Sequence, residues 1–236
     1  GSEMCIRDSS SHLPGHEVGQ LLQDFPFAGV LLGYSALNYQ YRQEGVEVAA
    51  ARGQAVVTMN PLGGGQIPAH PELFSYLRTR EEETLVQGAL RFLLDDTRIS
   101  VALVGMAEES HVDEAVIAAE GYKPLSASQR MKVESGLSDA MDRICTGCGY
   151  CTKVCPEDIP IPGNMLSYNG YMLSGYQSES LINNLKYNYR LLDDDRHGLD
   201  RCIECGECEA ACTQHLPILE RFEEMKKIMA DQNGAA

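Results

Sequence analysis

The chain has 236 residues, an apolar fraction of 44% and a formal net charge of −15, proportions of a folded protein with one large domain or two modest ones. The acidic balance offers no basic footprint to phosphate, which excludes nucleic acid and an anionic membrane surface as partners. No apolar run reaches the roughly 18 residues of a membrane span, and no basic-then-apolar secretory leader opens the chain, so a cytoplasmic protein is expected.

The chain opens GSEMCIRDS, where Cys5 stands outside the pattern that holds every other cysteine. Its reverse translation admits a transposase adapter used in preparing sequencing libraries, so residues 1–9 are expected to be an artefactual leader, with the native gene continuing upstream. From Ser10 onward short apolar runs alternate with helical periodicity. VLLGY (30–34), VVTMN (56–60) and VALVG (101–105) read as strands, each followed by a helix. The clearest helix is EEETLVQGALRFLLDD, in which Leu85, Val86, Ala89, Leu90 and Leu93 form one stripe and the glutamates sit at the positive end. Successive β-then-α units predict a parallel sheet covered by helices. A (β/α)8 barrel needs roughly 200 residues, so residues 10–126 have room for only part of one, about three to four β/α units.

Residues 145–155 read CTGCGYCTKVC and residues 202–212 read CIECGECEAAC, the same C-x-x-C-x-x-C-x-x-x-C spacing twice. Disulfides are disfavoured by a reducing compartment and by the strain of such close spacing. Zinc sites join two separated C-x-x-C knuckles, whereas three closely spaced thiolates and a fourth further on suit the corners of a cubane iron–sulfur cluster. The duplication predicts two [4Fe-4S] clusters. By the wiring of two-cluster ferredoxins, Cys145, Cys148, Cys151 and Cys212 hold one, and Cys202, Cys205, Cys208 and Cys155 the other. Gly147, Gly149 and Gly206 lie between ligands, where the backbone bends sharply and N–H groups can approach sulfur. Pro156 follows the first run, but Thr213 stands where a second proline is usual.

The segment between the runs contains SESLINNLKYNYRLL, with Leu181, Leu185 and Leu192 on one face, and the chain closes on LERFEEMKKIM. Both predict helices, so residues 127–236 are expected to form a mostly α-helical dicluster ferredoxin domain. Tyr168, Tyr171, Tyr176, Tyr187 and Tyr189 read as packing around the clusters, Met131, Met141 and Met225 as packing between helices, and Asp193, Asp194 and Asp195 as a solvated turn. His111 and His215 read as ordinary histidines, since four cysteines complete each cluster.

PLGGG after VVTMN, then ALRFLL, VALVGM with HVDEAV, and the cysteine runs, in that order, resemble the C-terminal part of aldo/keto reductases fused to a two-[4Fe-4S] ferredoxin-type domain. The resemblance runs from about Ser10 to the end. It implies that SSSH (9–12) ends barrel strand five, Tyr34 ends strand six, PLGGG follows strand seven and Gly105-Met106 end strand eight. It also implies an NAD(P)H site at Ser10, Ser11, Tyr34, Leu62, Gly63 and Gly64. Several of the family's grips are replaced: its nicotinamide-stacking tyrosine falls at Met59, its amide-binding glutamine at Leu31, and its 2′-phosphate lysine and arginine at Gly105 and His111. The family's catalytic Asp, Tyr, Lys and His sit on the first four strands, so no catalytic residue is assigned in this chain. The implied function is that of an iron–sulfur oxidoreductase whose clusters relay single electrons to or from a barrel active site. A small carbonyl-type substrate and a redox partner protein or small-molecule electron donor would serve it. The alternative is a non-catalytic ferredoxin-like electron-transfer or structural iron–sulfur protein.

Overall fold

The computed structural model describes residues 7–137, 144–189 and 198–234, and the chain divides into two compact units between Asp142 and Arg143. In the first unit the strands β1 (Asp8–Ser11), β2 (Gly29–Gly33), β3 (Ala55–Met59) and β4 (Val101–Ala102) form one sheet in the order β1-β2-β3-β4, with every pair parallel. The register runs Ser10 to Leu31, Leu31 to Val57 and Val57 to Val101. Parallel neighbours need crossovers, supplied by α1 (Gly15–Asp24), by α2 (Tyr39–Ala51) and, together, by α3 (Gln66–Ala69) and α4 (Leu85–Leu94). Strands that neighbour in sequence order are wired as in a segment of a (β/α)8 barrel; a doubly wound sheet reverses its order partway.

Each strand alternates its faces. Val30 and Leu32 of β2 and Val56 of β3 pack against Val18 and Leu22 of α1, Val46 and Ala49 of α2, and Leu93 of α4. The two first helices meet closely because Gly15 and Gly45 face each other: a Cβ on Gly15 would stand 3.0 Å from the Gly45 nitrogen. β4 is shorter than the VALVG run because it is the sheet edge. The Leu103 N–H still donates to the Thr58 carbonyl at 2.8 Å, but Val101 and Leu103 are each 48% exposed.

Helix α4 begins later than its glutamates suggest, because Thr84 caps it. The Thr84 hydroxyl accepts from the Gln87 N–H, and the Gln87 side chain returns a bond to the Thr84 N–H. Glu83 turns inward instead and pairs with Arg91 at 2.5 Å. Two further helices follow, α5 (Glu109–Glu120) and α6 (Ala127–Gly136). The sequence placed the start of the second domain at residue 127, whereas α6 lies with the first unit: Gln129 Nε2 donates to the Thr79 carbonyl, Lys132 Nζ to the Arg78 carbonyl, and Arg130 pairs with Asp95 at 2.6 Å. Met131 faces outward, 68% exposed, rather than packing between helices.

The second unit is helical, with α7 (Ile161–Leu173), α8 (Ser178–Tyr189), α9 (Glu207–Ala210) and α10 (Ile218–Gly234). Its core joins Ile161, Met165 and Tyr168 of α7, Leu181 and Leu185 of α8, and Ile218, Phe222 and Met225 of α10 to Cys151, Cys208 and Cys212. The Tyr168 and Tyr171 hydroxyls both donate to the Glu224 carboxylate, at 2.5 and 3.0 Å, which ties α7 to α10. Tyr176 is more than half exposed yet packs edge-on against Tyr171, ring centroids 5.3 Å apart. Cys5, Met141, Leu192, Asp193, Asp194 and Asp195, and the side chains of Tyr187 and Tyr189, lie outside the described residues. Among the described residues no helix is long and apolar enough to cross a membrane.

Candidate metal centre

The two cysteine runs follow one backbone path. In the first, Gly147 (φ 69°) and Gly149 (φ 80°) are left-handed; in the second, Glu204 (φ 55°) and Gly206 (φ 79°) take the same positions in the same conformation. Beyond the last cysteine of each run the match continues. Asp158 (φ 48°) and His215 (φ 51°) are both left-handed, and their N–H groups donate to the Cys155 and Cys212 carbonyls. Ile159-Pro160-Ile161 and Leu216-Pro217-Ile218 then open α7 and α10. A left-handed turn costs a side-chain-bearing residue free energy, so Glu204, Asp158 and His215 mark positions where the ligand loop imposes its path on whatever residue is present.

These loops interlace. Cys155 of the first run lines one small cavity with Cys202, Cys205 and Cys208 of the second, walled by Ile159, Ile161 and Phe222. Conversely, the charge of Cys212 acts on Cys145 and on Cys151. The turn after Cys212 is stitched to the first run by the buried Gln214, whose Nε2 donates to Thr146 Oγ1 at 3.1 Å. Cys208 feels both Cys202 and Cys151, so the two sets are neighbours.

Burial pushes the Cys145 thiol up to about 12; the Gly147 N–H opposes this, and the charges of Cys148, Cys151 and Cys212 add to it. Burial likewise pushes Cys208 up to about 11 and raises Cys151. Crowded, desolvated thiols resist ionisation unless a cation compensates them, and iron is such a cation; binding then releases their protons. Donors are in place for sulfur charge: the Gly147 N–H reaches Cys145 Sγ at 3.4 Å, the Leu216 N–H reaches Cys212 Sγ at 3.5 Å, and the Thr152 side chain bonds Cys151. The fully buried Asn169 clamps the Cys145 backbone, Oδ1 accepting from its N–H at 3.0 Å and Nδ2 donating to its carbonyl at 2.8 Å. Among the described residues no three His, Cys, Asp or Glu side chains are grouped to hold a single metal ion.

The residues expected at a dinucleotide site are not gathered. A cavity of about 520 Å³ at the ends of β3 and β4 is lined by Leu62 and Gly64 together with Met59, Leu103, Gly105 and His111. Gly63 faces Leu37 instead, Ser10 is exposed on β1, and Ser11 Oγ accepts from the Leu13 N–H at 3.0 Å. Tyr34 corrects the sequence reading: it shares the face of Val30 and Leu32, is fully buried among the helices, and donates its hydroxyl to Asp96. Among the described residues no lysine or arginine lines the cavity, and Glu114 adds a carboxylate to it.

Two interlaced cysteine runs define a dicluster iron–sulfur module. Residues 144–216 match the 4Fe-4S dicluster domain family, and the module carries two [4Fe-4S] clusters. Among curated proteins, the chain is 26% identical over 155 residues to the alpha 1 subunit of the acetyl-CoA decarbonylase/synthase complex of Methanosarcina mazei, covering 64% of this chain and 16% of that one. It is 27% identical over 88 residues to a subunit of the ion-translocating oxidoreductase complex of Buchnera aphidicola, covering 37% and 15%. The chain thus spans about a sixth or less of the curated relatives it matches. Among solved structures it is similar to an aldo-keto reductase from Bacillus halodurans, at 20% identity and TM-score 0.46, covering 55% of this chain and 49% of that one.

Asn169, Thr152 and Gln214 were not singled out in the sequence. The signal that finds their neighbourhood is the repeat itself, which extends past the cysteines through I-P-I and L-P-I.

Proposed function

We propose that this chain serves an iron–sulfur oxidoreductase as its electron relay. Cys145, Cys148, Cys151 and Cys212 hold one cluster, and Cys202, Cys205, Cys208 and Cys155 the other. The observation that carries this reading is the cavity shared by Cys155 with the three cysteines of the opposite run. Each cubane accepts and returns a single electron when bound. The residues around it set where the electron enters: Cys205 is the exposed cysteine of the described eight, beside Ile203 at 60% exposure and the exposed Glu204 and Glu207. A redox partner with a basic contact surface fits that rim. Matches to subunits of multi-protein redox complexes support such a partner. The aldo/keto reductase resemblance of the first unit makes a small carbonyl compound the substrate class served, although its open cavity offers no cation to a dinucleotide phosphate.

A purely structural role has one observation in its favour, since Cys151, Cys208 and Cys212 belong to the hydrophobic core that clusters would staple. Anaerobic reconstitution decides between them. The relay reading expects two clusters that reduce and reoxidise reversibly at a partner-accessible rate, and expects Cys212→Ser and Cys205→Ser each to lose one cluster, a different one in each case. Clusters that assemble but stay redox-silent across the physiological range would leave only the staple. Loss of the same cluster in both variants would overturn the ligand sets.

A further inference from the structure

The two halves of the repeat diverge at the residue following the last ligand. Pro156, after Cys155, has neither an N–H nor a side-chain donor; Thr213, after Cys212, has both. The Thr213 Oγ1 is buried and has no hydrogen-bond partner among the described residues. A buried hydroxyl is costly unless paired, so an orphan of this kind calls for a partner. Its immediate neighbour Cys212 belongs to the set whose sulfurs already receive the Gly147 N–H, the Leu216 N–H and the Thr152 side chain.

The opposite set is built differently. At the position matching Thr152 the second run carries Glu209, whose backbone N–H bonds Cys208 while its carboxylate places negative charge beside it. That carboxylate is held there by the Leu219 N–H at 2.9 Å. The cation Lys226, whose charge also acts on Cys202 and Glu204, is offset in part by its pairing with Glu223 at 2.7 Å. Donors to sulfur stabilise the reduced, more negative cluster, and adjacent carboxylates destabilise it.

We propose that the Thr213 hydroxyl donates to a sulfur of the cluster held by Cys145, Cys148, Cys151 and Cys212, and that this bond holds that cluster at a higher reduction potential than its neighbour. The proposal rests on the ligand sets given above. Thr213 is a positioning and tuning residue, not a ligand. An electron entering at the exposed Cys205 cluster then runs downhill to the more buried one, which gives the relay a direction.

The test is a redox titration of the anaerobically reconstituted full chain, followed by electron paramagnetic resonance, with iron content measured in parallel. The wild-type chain should show two separated waves. Thr213→Val, nearly isosteric but without a donor, should move the higher wave down toward the lower one and leave the lower in place, while Thr213→Ser should keep the wild-type separation. If valine impairs assembly, Thr213→Ala makes the same comparison without the branched side chain. Coincident waves in the wild type, or a full-iron Val or Ala variant with both waves unmoved, would overturn the proposal while leaving the dicluster reading intact. Iron for fewer than two clusters in the wild type would instead count against the dicluster reading.

Discussion

Replacing Asn169 by leucine should unseat one cluster and spare the other. Asn169 is fully buried, and its side chain makes two bonds to the backbone of Cys145 alone. Leucine keeps about the same volume and removes both bonds, leaving a half-buried N–H and carbonyl without partners. Each such group costs about 1–3 kcal/mol, so the pair costs about 2–4 kcal/mol after allowing for partial access of water to Cys145. With a urea slope of about 2 kcal/mol per molar, the middle of the usual range, the midpoint for losing this cluster should fall by about 1–2 M. The matching position in the second half is Lys226, so the cluster of Cys202, Cys205, Cys208 and Cys155 should bleach at its wild-type midpoint. Urea titration of the reconstituted chain, read by visible absorbance and by resonance of each cluster, checks this. Equal shifts of both clusters, or none in either, would refute the argument that the clamp acts through the Cys145 loop.

Two further outcomes concern the first unit. Burial alone would raise the Asp96 carboxyl, but bidentate bonding to Arg98, at 2.7 and 2.6 Å, and the Tyr34 hydroxyl hold it below the usual aspartate value of 3.8. A folded-state value below the unfolded one contributes stability that is present above pH about 4 and lost as pH falls through the folded value. Urea stability of the first unit should therefore decline on acidification below pH 4, and Asp96→Asn should flatten that decline; an identical acid dependence in the variant would sink the assignment. β4 ends the sheet with Val101 and Leu103 exposed, and α5, packed on α4, exposes Val112, Val116 and Ile117. An exposed apolar edge pairs readily with other chains, so light scattering should show concentration-dependent self-association, relieved by Leu103→Lys; a monodisperse wild-type chain at high concentration would contradict this.

Much of this architecture was legible because its signals are periodic. Three apolar runs became β2, β3 and β4 within a residue or so at their starts, since a strand buried on its faces needs a continuous apolar run. The cysteine spacing disclosed the clusters because four thiolates per cubane leave few other arrangements. Helix α7 was not legible. Its Pro162 sits in the first turn, where a missing N–H costs nothing, and burial around most of the helix erases the amphipathic periodicity that marks a helix in a sequence. Tyr34 stands directly after β2, where the resemblance implies it, but on the face turned to the helices, and a position along a strand does not decide the face. The domain boundary was set by the cysteine motif, whereas α6 is held to the first unit by backbone carbonyls of Arg78 and Thr79 that no pattern announces.

The repeat separates two kinds of requirement. Positions that shape the ligand loop keep their conformation even when the residue changes, as Gly147 with Glu204 and Asp158 with His215 show through matching positive φ angles. Positions beside the ligands that do not shape the path differ between the halves: Thr152 against Glu209, Pro156 against Thr213, Asn169 against Lys226. Backbone geometry is what assembles a cubane, and it is costly to vary because every ligand must arrive together. Local charge and hydrogen bonding tune a potential continuously and can change one residue at a time. A duplicated scaffold under these two constraints can keep two clusters assembled while the surroundings of each differ, which is what allows neighbouring carriers of one kind to be tuned independently.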